Sequence, residues 1–398
     1  MLRPWAFIRA VLSRHRLIAL FVFVGLLVGL TLQEVMPQYH VDRLRKRGGR
    51  WQDHPSFLVG DCPYYRATLL SLLRDGDLDI KNNFERRQYQ ASSFVSQGLR
   101  GEWYPKHPVL MPAAALPFYV IGRDRGLLAF NLVQLSLLLM LVWYGSRRYT
   151  STALATALTL YYGFGTCLRA SAYNFAPDLF SSLLSMGAIM ALLSRRAALA
   201  GFLLGLAVWS KWTNLTFLPV LGLYLLLRRE LLPILRFGAC AALPLAGLLA
   251  LNQHMFGSPW TTPYDRVLVR EHGKMVLEAS HRTFFNEPFW SGLWTQLSDQ
   301  HLGLFVGCPA VLLAPFGAAL LLRRAPLDAL LIGGCALAQL ATFAKYEQWW
   351  ASSYGPRFLL TTIALSALLA APLLQRLFTG HAAGTAPRDE RYTPLRVH

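Results

Sequence analysis

The stretch FLVGDCPYYRATLLSLLRDGDLDI, Phe57 to Ile80, decides how the chain is read. It carries Asp61, Asp75, Asp77 and Asp79, the most acidic part of a basic protein, and it follows a segment apolar enough to sit in a bilayer. If that segment spans, these carboxylates stand just outside the membrane.

Composition favours a membrane protein. Of the 398 residues, 54% are hydrophobic and 15% charged. Ordinary globular domains carry about 25% charged residues, so the chain has too few to coat a soluble surface of its size. Apolar runs of roughly the 20 residues that cross a hydrocarbon core recur along it. The first, Leu17 to Gln33, follows Arg3, Arg9, Arg14 and Arg16 and lacks a small-residue cleavage site, so it reads as a retained anchor. The net charge of +18 fits Lys and Arg that flank spans and face anionic headgroups. No nucleic-acid recognition motif accompanies it, so nucleic acid is not an expected partner. The five cysteines form no disulfide framework or zinc pattern.

From Glu34 to Arg125 the chain is mostly polar, apart from Val109 to Gly122, which carries Pro112 and Pro117. That piece is too short for a comfortable span and reads as a re-entrant or interfacial helix. Further spans are expected near 126–145, 151–168, 177–194, 197–211, 214–227, 233–251, 302–322, 327–344 and 357–374, ten with the anchor. Arg147-Arg148, Arg195-Arg196, Arg228-Arg229 and Arg323-Arg324 each end an apolar run, and successive pairs are separated by two expected spans. All four therefore share one side with both termini, and the positive-inside rule makes that side cytoplasmic. The expected fold class is an all-α polytopic membrane protein of about ten transmembrane helices. Its membrane unit covers 1–375, with long outer loops at 34–125 and 252–301, and a polar cytoplasmic tail, expected to be disordered, covers 376–398.

Three readings of the acidic stretch compete. A calcium loop starting at Asp75 would need Gly at Ile80 and Glu at Arg86, so it fails. An amphipathic helix on the membrane surface, Tyr64 to Arg74 with Asp75-Gly76 as its stop, fits the spacing of Tyr65, Leu69, Leu72 and Leu73. Asp61 precedes that helix. Spacing leaves it open between a helix cap and a catalytic base.

Gly60-Asp61-Cys62-Pro63-Tyr64-Tyr65, then Ser71 to Asp79 and Asn82-Asn83, resembles the first outer loop of polytopic C-type (GT-C) glycosyltransferases. The nearest group is the family 39-like bacterial relatives of protein mannosyltransferases. Tyr104-Pro105-Lys106-His107-Pro108 resembles that family's His-Pro re-entrant helix, and Trp349 to Leu359 its Gly-Pro-Arg-aromatic-Leu motif. The resemblance implies a bacterial inner-membrane enzyme that works on the extracytoplasmic face. It would move a sugar, with inversion, from a polyprenyl-phosphate donor to a hydroxyl of a glycan, lipid or protein acceptor. Asp61 then matches the residue that activates the acceptor. The family usually has an acidic residue where Cys62 stands, which puts use of a divalent cation in doubt; no cofactor is otherwise implied.

The chemistry needs a proton acceptor, cationic donors for the leaving phosphate, and a polar cavity beside a lipid groove. Lys211, Arg357 and His107 are the candidates for the phosphate. Snorkelling to the interface for Lys211, a headgroup contact for Arg357 and a solvated loop position for His107 are the plainer alternatives. Asp178, Glu347, Trp349, Trp350 and Tyr354 are candidates for sugar or acceptor binding, with helix capping and the interfacial aromatic belt as alternatives. The rival class is a transporter or flippase of a lipid-linked or anionic solute, which calls for charges at mid-span and repeated halves. Neither is legible.

The topology makes a direct prediction. Cysteines introduced at Ser92 and Ser280 should react with impermeant reagents in intact cells, while those at Ser146 and Ser194 should be protected. Labelling of Ser146 and Ser92 positions from the same side would overturn the arrangement.

Overall fold

The computed structural model describes residues 21–31, 61–86, 95–271, 274–277, 284–349 and 356–379. Apolar helices dominate. The part of the anchor that is described, α1, spans Phe21–Thr31. The helix after Asp61, α2, spans Cys62–Arg74, and β1 (Val95–Gln97) and β2 (Trp103–Pro105) follow. The bundle then runs through α3 (Leu110–Ser146), α4 (Thr152–Phe164), α5 (Pro177–Leu193), α6 (Ala197–Ser210), α7 (Phe217–Leu227) and α8 (Leu231–Phe256). β3 (Val267–Glu271), β4 (Lys274–Leu277) and α9 (Phe289–Ser298) come next. The chain re-enters the bundle as α10 (Ala314–Arg324), α11 (Pro326–Ala344) and α12 (Leu360–Thr379).

Four of the described helices are long and apolar enough to cross a membrane by themselves: Leu110–Ser146, Leu231–Phe256, Pro326–Ala344 and Arg357–Thr379. The other expected spans are shorter helices. The stretch expected to span at 302–322 is interrupted: Leu304–Gly307 and a 3-10 turn over Pro309–Leu313 precede α10, where Pro309 and Pro315 limit regular helix.

The short apolar piece and the following span form one kinked element, α3. Arg123 has φ 51° and ψ −134°, so the helix breaks there. The two arms meet tightly enough that a Cβ at Gly126 would lie 1.9 Å from the Phe118 carbonyl oxygen. Arg66 grips the kink from α2, with Nε 2.7 Å and Nη2 3.2 Å from the two oxygens of Asp124.

Helix α2 departs from the expected surface position. It is buried on both sides: Cys62, Tyr65, Leu69 and Leu70 join the main core, while Tyr64 and Ala67 join a second core with Ile80, Val95 and Leu268. The second core lies beneath an antiparallel sheet of order β2-β1-β3-β4 that the sequence reading does not anticipate. Strands of three to five residues, separated by the whole bundle, carry too little period-2 signal to be read alone. The sheet pairs Val95 with Leu268 and so ties the segment before α3 to the segment after α8. Asp79 joins this framework by accepting from Trp103 N at 2.9 Å, and Asp77 accepts from Ser71 Oγ at 2.7 Å. These acids are structural connectors.

The bundle has two distinct ends. At one end Arg148 Nη2 donates to Leu193 O, Tyr149 Oη donates to Asp328 and Thr150 Oγ1 donates to Gln375. The arginine pairs close α3, α5, α7 and α10 at this same end. Ser146 is fully buried there, so Ser194, which is exposed, is the informative labelling position.

Helices α6 and α8 approach through small residues. A Cβ at Gly201 would sit 2.0 Å from Phe237 O, and one at Gly205 would sit 2.7 Å from Ala241 O. Small residues four apart allow membrane helices this approach. Gly201→Ala should therefore force the pair apart and cost about 1–3 kcal/mol, measured as a lower unfolding temperature in detergent. Gly222→Ala, where nothing lies within 4 Å, is the control and should leave it unchanged.

A candidate active site at one end of the bundle

The end opposite the arginine pairs gathers charge. Asp61 stands at the N-terminus of α2, and its backbone is helical with no side-chain cap bond. The capping alternative therefore fails. Instead Oδ2 lies 3.5 Å from Arg357 Nη2 and 3.8 Å from His107 Nε2. Arg357 opens the turn before α12 after Pro356, and its guanidinium is 10% exposed. Its Nε is buried without a hydrogen-bond partner among the described residues. The ring of Phe358 lies 4.7 Å from its guanidinium carbon.

A second pair completes the cluster. Lys211 Nζ lies 2.5 Å from Asp178 Oδ1. Lys211 ends α6, where the chain turns extended, and Asp178 sits in the first turn of α5 after Pro177. Neither plain alternative holds: Lys211 does not snorkel, and Asp178 spends its carboxylate on the lysine. The faces of Phe358 and Phe343 lie 4.3 and 5.0 Å from Nζ, adding cation–π attraction in a water-poor place. A small cleft opens beside both pairs, lined by Cys167, Ser171, Asn174, Asp178 and Arg357.

His107 precedes the kinked helix, outside the spans. Burial, reinforced by Lys106 and Arg357, pushes its imidazole down to about 4 against the upward pull of Asp61. The ring is therefore neutral at physiological pH. Tyr65 stacks on it at 5.4 Å, and Tyr264 Oη lies 3.1 Å from Nδ1.

The structure thus brings together Asp61, His107, Asp178, Lys211 and Arg357 from five separate places in the sequence. It does not bring in Glu347, which is exposed and is tied by its backbone to Phe284 O. Trp349 is buried, while Trp350 and Tyr354 lie outside the described residues. Tyr65 and Tyr264 are further members that sequence reading missed. Tyr264 had no signal, because the sheet that carries it in was not legible.

These residues do not suit a hard divalent cation, which takes several oxygen ligands. Each carboxylate already faces a cation. Cys62, at the position where the resembling family has an acid, is buried, and its thiol donates to Asn174 Oδ1 at 2.7 Å.

No protein-family model matches the chain, and no curated protein matches it significantly in sequence. Solved structures match it in fold. The oligosaccharyltransferase of Archaeoglobus fulgidus, in its apo form, matches over 89% of this chain and 50% of its own, with a TM-score of 0.53 and 10% identity. ArnT from Cupriavidus metallidurans in the apo state matches over 79% of this chain and 55% of its own, with a TM-score of 0.47 and 16% identity. ArnT bound to undecaprenyl phosphate gives 80%, 56%, 0.47 and 14% in the same order. The chain spans about half the length of the structures it matches. At these identities the likeness shows the fold alone. That fold is the polytopic all-α membrane architecture of the oligosaccharyltransferase.

The Lys211–Asp178 pair is testable by removing one partner. Lys211→Met should leave Asp178 a buried carboxylate without its hydrogen-bonded cation, with only Arg357 nearby, and cost up to about 3–5 kcal/mol. The double change with Asp178→Asn should recover much of that loss in thermal unfolding. A double variant as unstable as Lys211→Met would mean that the pair is not what holds this end together.

Proposed function

We propose that the protein is an inverting membrane glycosyltransferase that takes a sugar from a polyprenyl-phosphate donor and places it on an acceptor hydroxyl. The observation that carries this reading is Asp61: a carboxylate that caps nothing, 16% exposed, held between an arginine and a neutral histidine at one end of an apolar bundle. In this reading the acceptor oxygen forms its bond to the anomeric carbon while its proton passes to Asp61. The bond from that carbon to the phosphate oxygen breaks on the opposite side, and the electron pair leaves with the lipid phosphate. Direct attack inverts the anomeric centre.

Charge bookkeeping supports a monophosphate-linked donor. Two cations face two carboxylates here, and His107 is neutral. A neutral site accepts a singly charged phosphodiester more readily than a pyrophosphate. During transfer the leaving phosphate gains one negative charge just as the proton cancels the charge of Asp61. Arg357, released from its carboxylate partner, can then turn its planar fork to the phosphate. Lys211 supplies the neighbouring positive charge, and Asp178, beside the cleft, is the sugar- or acceptor-facing acid.

We further infer that residues 1–375 act as one unit in the cytoplasmic membrane of a bacterium. The arginine pairs and termini face the cytoplasm, and the site faces outward, where a lipid-linked donor replaces nucleotide sugars. A transporter reading calls for charges at mid-span, and the charges of this site lie at helix ends.

Asp61→Asn is the decisive variant. With no capping bond to lose, and with Asp178 still acting on Arg357, it should insert and fold with at most a lowered unfolding temperature, yet lose roughly 100- to 10,000-fold in transfer. Mass spectrometry of lipid-linked sugars and envelope glycans, with a deletion strain alongside, measures this. Near-normal transfer by the folded variant would remove Asp61 from the chemistry.

A further inference from the structure

We infer that Tyr264, from the second outer loop, is a positioning residue that holds His107 in the tautomer bearing its proton on Nε2, aimed at Asp61. The inference rests on the reading of Asp61 as the base. A neutral imidazole carries one ring proton, and the two nitrogens of His107 face different partners. Nδ1 is 3.1 Å from Tyr264 Oη, and Nε2 is 3.8 Å from Asp61 Oδ2. A proton on Nδ1 would turn the Nε2 lone pair towards a carboxylate oxygen. A proton on Nε2 turns a donor towards that anion, and Nδ1 then needs a donor of its own. The phenol O–H of Tyr264 supplies it.

The surroundings fix Tyr264 as firmly as the ring it meets. It sits in the turn Pro263–Asp265, where Thr262 N and Oγ1 each donate to Asp265 at 2.9 Å. Ser96 of β1 donates through Oγ to Pro263 O, so the inter-loop sheet sets the height of the turn. Burial raises the pKa of Tyr264, which keeps the phenol protonated and able to donate. The 3.8 Å separation of Nε2 from Asp61 is longer than a hydrogen bond; contacts of this kind commonly tighten once substrate is bound. Both His107 and Arg357 address Oδ2 of Asp61. Oδ1 is therefore the oxygen left to take the acceptor's proton.

A double-mutant cycle separates positioning from mere packing. Tyr264→Phe should lower the turnover of transfer about tenfold, the loss of one hydrogen bond expressed as rate, with the donor KM unchanged. In His107→Gln the amide nitrogen donates from the Nε2 position and no tautomer remains to be chosen, so adding Tyr264→Phe should cost nothing further. The same loss in both backgrounds would overturn the inference. Nitrogen NMR of histidine-labelled protein reads the tautomer without any turnover. The wild type should show His107 protonated on Nε2, and Tyr264→Phe should show a mixture. Protonation on Nδ1 in the wild type, or no change in the variant, refutes the role of Tyr264. If the tautomer behaves as stated while the wild type transfers no sugar, the glycosyltransferase reading fails and the positioning of His107 stands.

Discussion

A charge removed from water must be paired, and in this molecule two pairs do that for four buried or half-buried side chains. Asp61 meets Arg357, and Asp178 meets Lys211. An isolated charge in such surroundings is so unfavourable that the group either finds a partner or gives up its charge. The starts of α5 and α12, the end of α6 and the start of α2 must therefore converge at one end of the bundle. The turn at Pro356 and the burial of α2, instead of its resting on a membrane surface, go with this requirement.

The segments before α3 and after α8 answer a second requirement. A helix buried on both sides needs a second layer, and the small sheet provides it by pairing Val95 with Leu268. The sheet also carries the turn that brings Tyr264 to His107. The segments before α3 and after α8 are therefore joined, and the site belongs to both.

Much of the bundle was legible because hydrocarbon imposes a length and the arginine pairs impose a rhythm. The kink at Arg123 falls where a short proline-bearing run meets a full apolar one. The cluster was partly legible because Lys211, Asp178 and Arg357 are charges at the ends of apolar runs opposite those closed by the arginine pairs. What could not be read was pairing. Nothing in the spacing of Asp178 and Lys211 says that they touch, and the cap-or-base question at Asp61 turned on where a side chain points. Strands as short as Val95–Gln97 leave almost no pattern, so Tyr264 was lost with them. Glu347 was drawn in by its aromatic neighbours, yet it faces away.

The separation of the partners in sequence has a consequence for biosynthesis. Asp61 emerges early, while Arg357 follows about 300 residues later. At 5–20 residues per second, that interval lasts roughly 15 to 60 s. The turn bearing Tyr264 and the sheet partner at Leu268 follow about 200 residues after Asp61, and the guanidinium opposite its carboxylate comes only at the end of that interval. A nascent chain therefore holds no assembled site for most of its time at the insertion machinery. The cluster is complete only when the last helices dock, so a chain arrested partway lacks it.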